Sequence, residues 1–148
     1  MTDRLDICGR LLVVFDGRCG FCNRAVRWFL RHDRRDRLRF AASELEKVAG
    51  LLARHGIGSE VARAGPGTIL VVEDADGRAE KLLIGSDAVA AMLSELPRPW
   101  PAVAGGLRWV PRAVRELGYR LIASWRYRIW GRLESCPLPT AEERERFL

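Results

Sequence analysis

Residues 11–32 read LLVVFDGRCGFCNRAVRWFLRH, and the change of pattern inside this stretch organises the rest of the chain. Leu11–Phe15 is an apolar, β-rich run between charged residues, the pattern of a fully buried strand. Asp16-Gly17 breaks it, because both residue types favour turns. From about Gly20 to His32 the period becomes helical. Cys22, Val26, Phe29 and Leu30 recur on one side, while Arg24, Arg27 and Arg31 mark the wet side. Cys19 and Cys22, separated by Gly20-Phe21, therefore fall where a strand gives way to the first turn of a helix.

Working outward, Leu38–Ala42 reads as a second short strand. Ser43 with Glu46 fits a capping box that opens a helix through about Arg54, with Leu45, Val48, Leu51 and Leu52 as its apolar face. His55–Gly67 is a Gly-rich loop, and Thr68–Glu73 a third strand. Asp74-Ala75-Asp76-Gly77 is a hairpin turn, and Arg78–Ile84 the returning strand. Ser86 caps a helix to about Leu96, stopped by Pro97, Pro99 and Pro101. The order is β-α-β-α-β-β-α. A helical crossover makes the first two strands parallel and right-handed, and the hairpin makes the last two antiparallel. The predicted fold is α/β: a mixed four-stranded sheet with helices on both faces, in the element order of a thioredoxin fold.

The tail from Pro97 to Leu148 is too long for a loop. Pro111 suits a first helical position. Val114, Leu117, Leu121, Ile122, Trp125 and Ile129 then form an apolar stripe to about Arg132, and a Thr140/Glu143 capping box opens a last short helix. The predicted division is a thioredoxin-like domain over residues 1–96 and a helical extension over 97–148, packed on that domain through the stripe. The competing expectation is a helix on a membrane surface, since Arg120, Arg126, Arg128 and Arg132 accompany Tyr119, Trp125, Tyr127 and Trp130.

Composition bounds these expectations. The 148 residues make one domain, 48% hydrophobic and 30% charged, large enough for a core without disulfide staples. No stretch free of Asp, Glu, Lys and Arg exceeds nine residues, reached at Ala64–Val72 and Pro99–Leu107. A spanning helix needs about 20 apolar residues. The apolar run Leu11–Phe15 is also shorter than the roughly 7–15 residues of a secretory signal core. A cytoplasmic protein is expected. The net charge is +6 with 23 Arg, and two segments concentrate it. Residues 18–39 hold eight Arg against Asp33 and Asp36, and residues 98–132 hold eight against Glu116 alone. Such segments are either solvated helix faces or attractors of anionic partners.

The chemistry points to Cys19 and Cys22. Free amide N–H groups and the helix dipole at a helix start favour an anion, and a thiol there has a pKa below the free value of about 8.5. Arg18 and Arg24 add positive potential. Cys19, first in the turn, is expected to be the exposed attacking thiolate. Cys22, one turn in, is the buried resolving thiol that releases a mixed disulfide. A zinc site would need about four ligands, whereas Cys8, Cys136, His32 and His55 are scattered without a second pair. No metal and no cofactor is expected, since no nucleotide or flavin fingerprint is present. Asp16 has two readings that stay open: a buried acceptor for the Cys22 proton, or the residue that makes the turn leaving the strand.

Phe15-Asp16-Gly17-Arg18-Cys19-Gly20-Phe21-Cys22 resembles the DGxCxxC signature of the DCC family, thiol-disulfide oxidoreductases with a thioredoxin-like fold. Gly85-Ser86-Asp87-Ala88 resembles the family's segment before its third helix. Arg126-Tyr127-Arg128-Ile129-Trp130-Gly131, with Cys136 and Pro139, resembles its C-terminal pattern. Two positions depart: Trp125 stands where members usually carry Asn, and Gly67-Thr68 occupies the junction where thioredoxin proper has a cis-proline. The resemblance implies a dithiol enzyme with Cys19, Cys22 and Asp16 as site residues. Its expected partners are a disulfide-containing protein or small molecule and a thiol reducing system. Nucleic acid is not expected, and peripheral membrane contact stays open. Cys136 is either a third redox thiol or a buried small side chain, and Cys8 lies outside the resemblance. The alternative from another class is a non-catalytic thioredoxin-like binding module, whose Arg/Trp-rich C-terminal helix docks on an anionic membrane, nucleic acid or an acidic protein.

Overall fold

Strand β1 (Leu11–Phe15) alternates its side chains between two separate cores, and this alternation sets the layering. Val13 and Phe15 join one buried cluster, and Leu12 and Val14 the other. The computed structural model describes residues 9–43, 45–56, 69–75, 80–131 and 140–148, and of Arg126, Tyr127 and Trp130 only the backbone. The elements that follow β1 are α1 (Gly20–His32), β2 (Leu38–Ala42), α2 (Glu46–Arg54), β3 (Leu70–Glu73) and β4 (Lys81–Ile84). Then come α3 (Ser86–Glu95), α4 (Trp100–Trp109), α5 (Arg112–Trp130) and a short 3-10 turn at Arg144–Arg146.

The sheet order is β2-β1-β3-β4, with β1/β2 parallel and the β1/β3 and β3/β4 pairs antiparallel. This is the mixed four-stranded sheet expected from the crossover and the hairpin, and it is consistent with a thioredoxin-like fold. On one face, α1 contributes Cys22, Val26 and Phe29, and α3 contributes Ala88, Ala91 and Met92. On the other, α2 contributes Val48, Leu51 and Leu52. Trp28 of α1 stacks with His32 and meets Trp100 of α4 edge to face, at 4.2 and 4.7 Å between ring centres.

The C-terminal residues return to the free edge of β2. The Leu148 N–H donates to the Phe40 carbonyl at 2.9 Å, and the Phe147 ring meets Phe15 and Phe40. The expected Thr140/Glu143 box is present in both directions: Thr140 N–H donates to Glu143 Oε2 at 2.9 Å, and Glu143 N–H to Thr140 Oγ1 at 3.3 Å.

Four local expectations are corrected. Ser43 does not cap α2; the chain enters at Leu45, and the buried Ser43 hydroxyl has no hydrogen-bond partner among the described residues. Ser86 is the first residue of α3 rather than its cap, because Gly85 at φ 65° precedes it. Pro99 and Pro101 do not end helical structure. Pro99 is the N-cap of α4 and Pro101 lies in its first turn, where a missing N–H costs nothing. Finally, α5 does not pack through the apolar stripe: Val114, Leu117, Leu121 and Trp125 are all more than half exposed. Its inward side carries Arg115, Glu116, Tyr119 and Ala123 instead. The expected turn residues Asp76 and Gly77, the thiols Cys8 and Cys136, and the Gly67-Thr68 junction lie outside the described residues.

Candidate active site

The turn between β1 and α1 is built by four local hydrogen bonds. Asp16 is buried, and its Oδ1 accepts the Arg18 N–H at 3.0 Å while its carbonyl accepts the Cys19 N–H at 3.2 Å. The aspartate therefore makes the turn, as one of its two readings required. Asn23, which the sequence patterns did not single out, fastens the turn to the helix. Its Nδ2 donates to the Gly17 carbonyl at 2.8 Å and to the Cys19 carbonyl at 3.0 Å. The available signal was a side-chain amide one residue after Cys22, within reach of carbonyls that precede the helix.

Cys19 is the N-cap of α1, in extended conformation at φ −82° and ψ 118°. Its Sγ accepts the Cys22 N–H at 3.3 Å. A sulfur in this position receives one of the free donors of the first helical turn, and the positive end of the helix dipole lies beneath it. Both features favour the thiolate over the thiol. Cys22 follows one turn later, in the same core cluster as Val26 and Phe29. Cys19 and Cys22 are not joined by a disulfide.

The structure corrects the expected exposure of Cys19. Its solvent exposure is 0%, against 1% for Cys22. The side chain turns back over its own helix to meet the Cys22 N–H, toward Phe15 in the core, rather than out toward the solvent that surrounds Arg18.

An apolar cavity of about 240 Å³ opens beside Cys22. Its walls come from α1 (Phe21, Phe29), from Ile69 before β3, and from α5 (Tyr119, Ile122, Ala123). Helix α5 thus belongs to the surroundings of the dithiol, which the sequence patterns did not anticipate. The start of α5 is held by polar contacts. Ser86 N–H donates to Glu116 Oε1 at 3.2 Å, and the Ser86 hydroxyl donates to the same oxygen. Arg112 and Arg115 pair with Asp87 at 3.3 and 3.0 Å. A carboxylate from one helix thereby caps the N-terminus of another. Gly85 is required at this junction. A Cβ there would lie 3.1 Å from Glu116 Oε2, and its φ of 65° disfavours other residues.

Among the described residues, no group of three or more His, Cys, Asp or Glu gathers as a metal site, and no helix is long and apolar enough to cross a membrane. No solved structure matches the chain. Among curated proteins it is similar to a chloroplastic DCC family protein of Arabidopsis thaliana, 32% identical over 129 residues that cover 87% of this chain and 70% of the relative. It is also similar to the uncharacterised protein YuxK of Bacillus subtilis, 27% identical over 137 residues and 93% of each chain. The family described as DCC1-like thiol-disulfide oxidoreductase matches residues 13–132. That match runs from inside β1, through both cysteines and the capped start of α3, to just beyond α5, and the chain belongs to the DCC1-like thiol-disulfide oxidoreductase family.

Proposed function

We propose that the protein exchanges or reduces disulfides through Cys19 and Cys22, with Cys19 as the attacking sulfur and Cys22 as the resolving one. The observation that carries this assignment of roles is the hydrogen bond from the Cys22 N–H to Cys19 Sγ at 3.3 Å. The Cys19 thiolate attacks one sulfur of a substrate disulfide. An S–S bond forms to Cys19, and the other substrate sulfur leaves as a thiolate. Cys22 then loses its proton and attacks Cys19 Sγ, which frees the second substrate thiol and closes the Cys19–Cys22 disulfide. The substrate gains two electrons and the protein loses two. An external dithiol restores the reduced pair. Asp16 is the buried carboxylate of the same turn and serves as acceptor for the Cys22 proton. Since both sulfurs are covered, the turn opens before attack, and the apolar cavity beside Cys22 receives an apolar side chain next to the substrate disulfide. A cytoplasmic setting, where a thiol system keeps dithiols reduced, fits this direction of flow.

The test is trapping. Cys22→Ser accumulates a mixed disulfide on Cys19 with a model disulfide substrate, and Cys19→Ser loses reductase activity. Mixed disulfides on Cys22 in the Cys19→Ser protein, at the rate of the native one, would reverse the roles. Loss of activity in neither variant would end the redox assignment. Asp16→Asn slows release of the mixed disulfide without slowing its formation. An equal effect on both steps would leave Asp16 with the turn alone.

A further inference from the structure

We propose that the outer face of α5 is a docking surface for anionic phospholipid bilayers. Six large apolar side chains lie along it and the neighbouring end of α4. Trp109 is 91% exposed, and Val114, Leu117, Leu121, Trp125 and Ile129 are each between 55% and 60% exposed. The face is outward by construction, not by accident of side-chain choice. Glu116 on α3, Arg112 and Arg115 on Asp87, and the small Ala123 against the domain fix which side of α5 turns in. Val114, Leu117, Leu121 and Trp125 sit about half a turn away from that inward side.

Charge decides which occupant fits. Between residues 98 and 132 there are eight arginines and a single acid, Glu116. That acid is turned inward and engaged with Ser86. Arg108, Arg120 and Arg128 are exposed around the apolar face. A second copy of the chain seated there by two-fold symmetry would bring these like charges together. A phosphate backbone would match the arginines but leave the apolar residues in water. An anionic bilayer supplies both an acyl boundary for the apolar residues and headgroup phosphates for the guanidinium groups. Tryptophans at the two ends of such a face suit the headgroup level. The helix is about 28 Å long at 1.5 Å per residue and lies in the membrane plane rather than across it. Its other side lines the cavity at Cys22, so docking holds the dithiol about one helix diameter, roughly 10 Å, from the surface.

The experiment is co-sedimentation of the full chain with vesicles of phosphatidylglycerol and phosphatidylcholine, and with phosphatidylcholine alone, at low and high salt. The protein binds the anionic vesicles, and added salt weakens binding. The double variant Leu117→Gln, Leu121→Gln loses at least about tenfold in affinity and keeps its melting temperature, because neither side chain is buried. The pair Arg120→Gln, Arg128→Gln loses the preference for anionic over neutral vesicles. Any of four results overturns the proposal. One is a dimer, abolished by the double leucine variant, with no vesicle binding. Another is binding to duplex DNA without vesicle binding. A third is a fall in melting temperature of the leucine variant with unchanged vesicle affinity. The fourth is equal binding to neutral and anionic vesicles. None of these readouts involves Cys19 or Cys22, so the redox assignment can fail or stand separately.

Discussion

Residues 18–39 and 98–132 carry eight arginines each, yet their helices bury opposite kinds of surface. α1 turns Cys22, Val26 and Phe29 into the core and leaves Arg24 and Arg31 in water. α5 turns Glu116, Arg115 and Ala123 toward the domain and leaves Leu117, Leu121 and Trp125 outside. What each helix meets explains the difference. α1 lies over Val13 and Phe15, an apolar surface. α5 meets the start of α3, where free backbone N–H groups and Asp87 call for a carboxylate and a guanidinium. Periodicity says that a helix has two faces; the chemistry of its neighbour decides which one goes in.

The largest expected effect tests that contrast directly. Phe29→Ala empties a site that is 7% exposed and should cost about 3–5 kcal/mol in urea unfolding. Leu121→Ala removes a side chain that is 55% exposed and should change stability by no more than about 0.5 kcal/mol. Similar losses in the two variants would mean that α5 packs through its stripe after all, and the comparison would collapse.

The acids of the two segments provide the next two tests. Asp33 ends α1 and is buried, with Oδ1 accepting the Arg37 N–H at 3.1 Å and Oδ2 the Leu38 N–H at 3.0 Å. Asp33→Ala strands both donors at the entry to β2 and should cost about 2–4 kcal/mol, with Asp33→Asn intermediate because one acceptor survives. Glu116→Ala removes the carboxylate cap of α3 and should cost about 1–2 kcal/mol. Because the same residue fixes α5, hydrogen exchange in that variant should quicken at Ser86 and along α5 before it quickens in the sheet. Exchange unchanged along α5 would show that another contact orients the helix.

These cases mark what the sequence could reveal. The sheet was legible because every strand but one is buried on both sides, and because a crossover and a hairpin leave little freedom in strand direction. The strand-to-helix placement of Cys19 and Cys22 was legible for the same reason: a turn pair, Asp16-Gly17, separates two clear periods. The burial of Cys19 was not, since spacing fixes where a residue sits in a turn and not what covers its side chain. Nor was the part played by Glu116. It appears in the sequence only as the lone acid among arginines, and its partner Ser86 is thirty positions away. α4 was missed because three prolines read as a stop, although a helix tolerates proline in its first turn.

The smallest effect sharpens the comparison by pH. In the first segment Asp36 stays at the surface, with a side chain 42% exposed, and gathers cations. Its Oδ1 accepts from Arg39 at 2.7 Å, and Arg10 and Arg146 lie at 3.2 and 3.4 Å. The hydrogen bond from Arg39 holds its carboxyl below the ordinary 3.8, against a smaller opposing effect of burial, with the charges of Arg39, Arg10 and Arg146 adding to the lowering. The same contact raises Arg39. A carboxylate lowered in the folded state binds fewer protons there than in the unfolded chain. Its contribution is complete above pH 3.8 and is lost as pH falls through the lower folded value. Asp36→Asn keeps the shape and tolerates the positive φ of 54° but cannot ionise. The native protein should exceed this variant by about 0.5–1 kcal/mol near neutral pH, a figure already reduced for solvent screening. That gap should close as pH falls below about 4, as measured by paired urea titrations. Arg146 lies close to the point where the chain returns to β2, so the variant should also loosen the Leu148–Phe40 contact. A gap that stays constant from neutral to acid pH would show that Asp36 acts through its turn geometry and not its charge. The charge of Asp36 would then add nothing to the first segment that the Asp87 pairs of Arg112 and Arg115 add to the second.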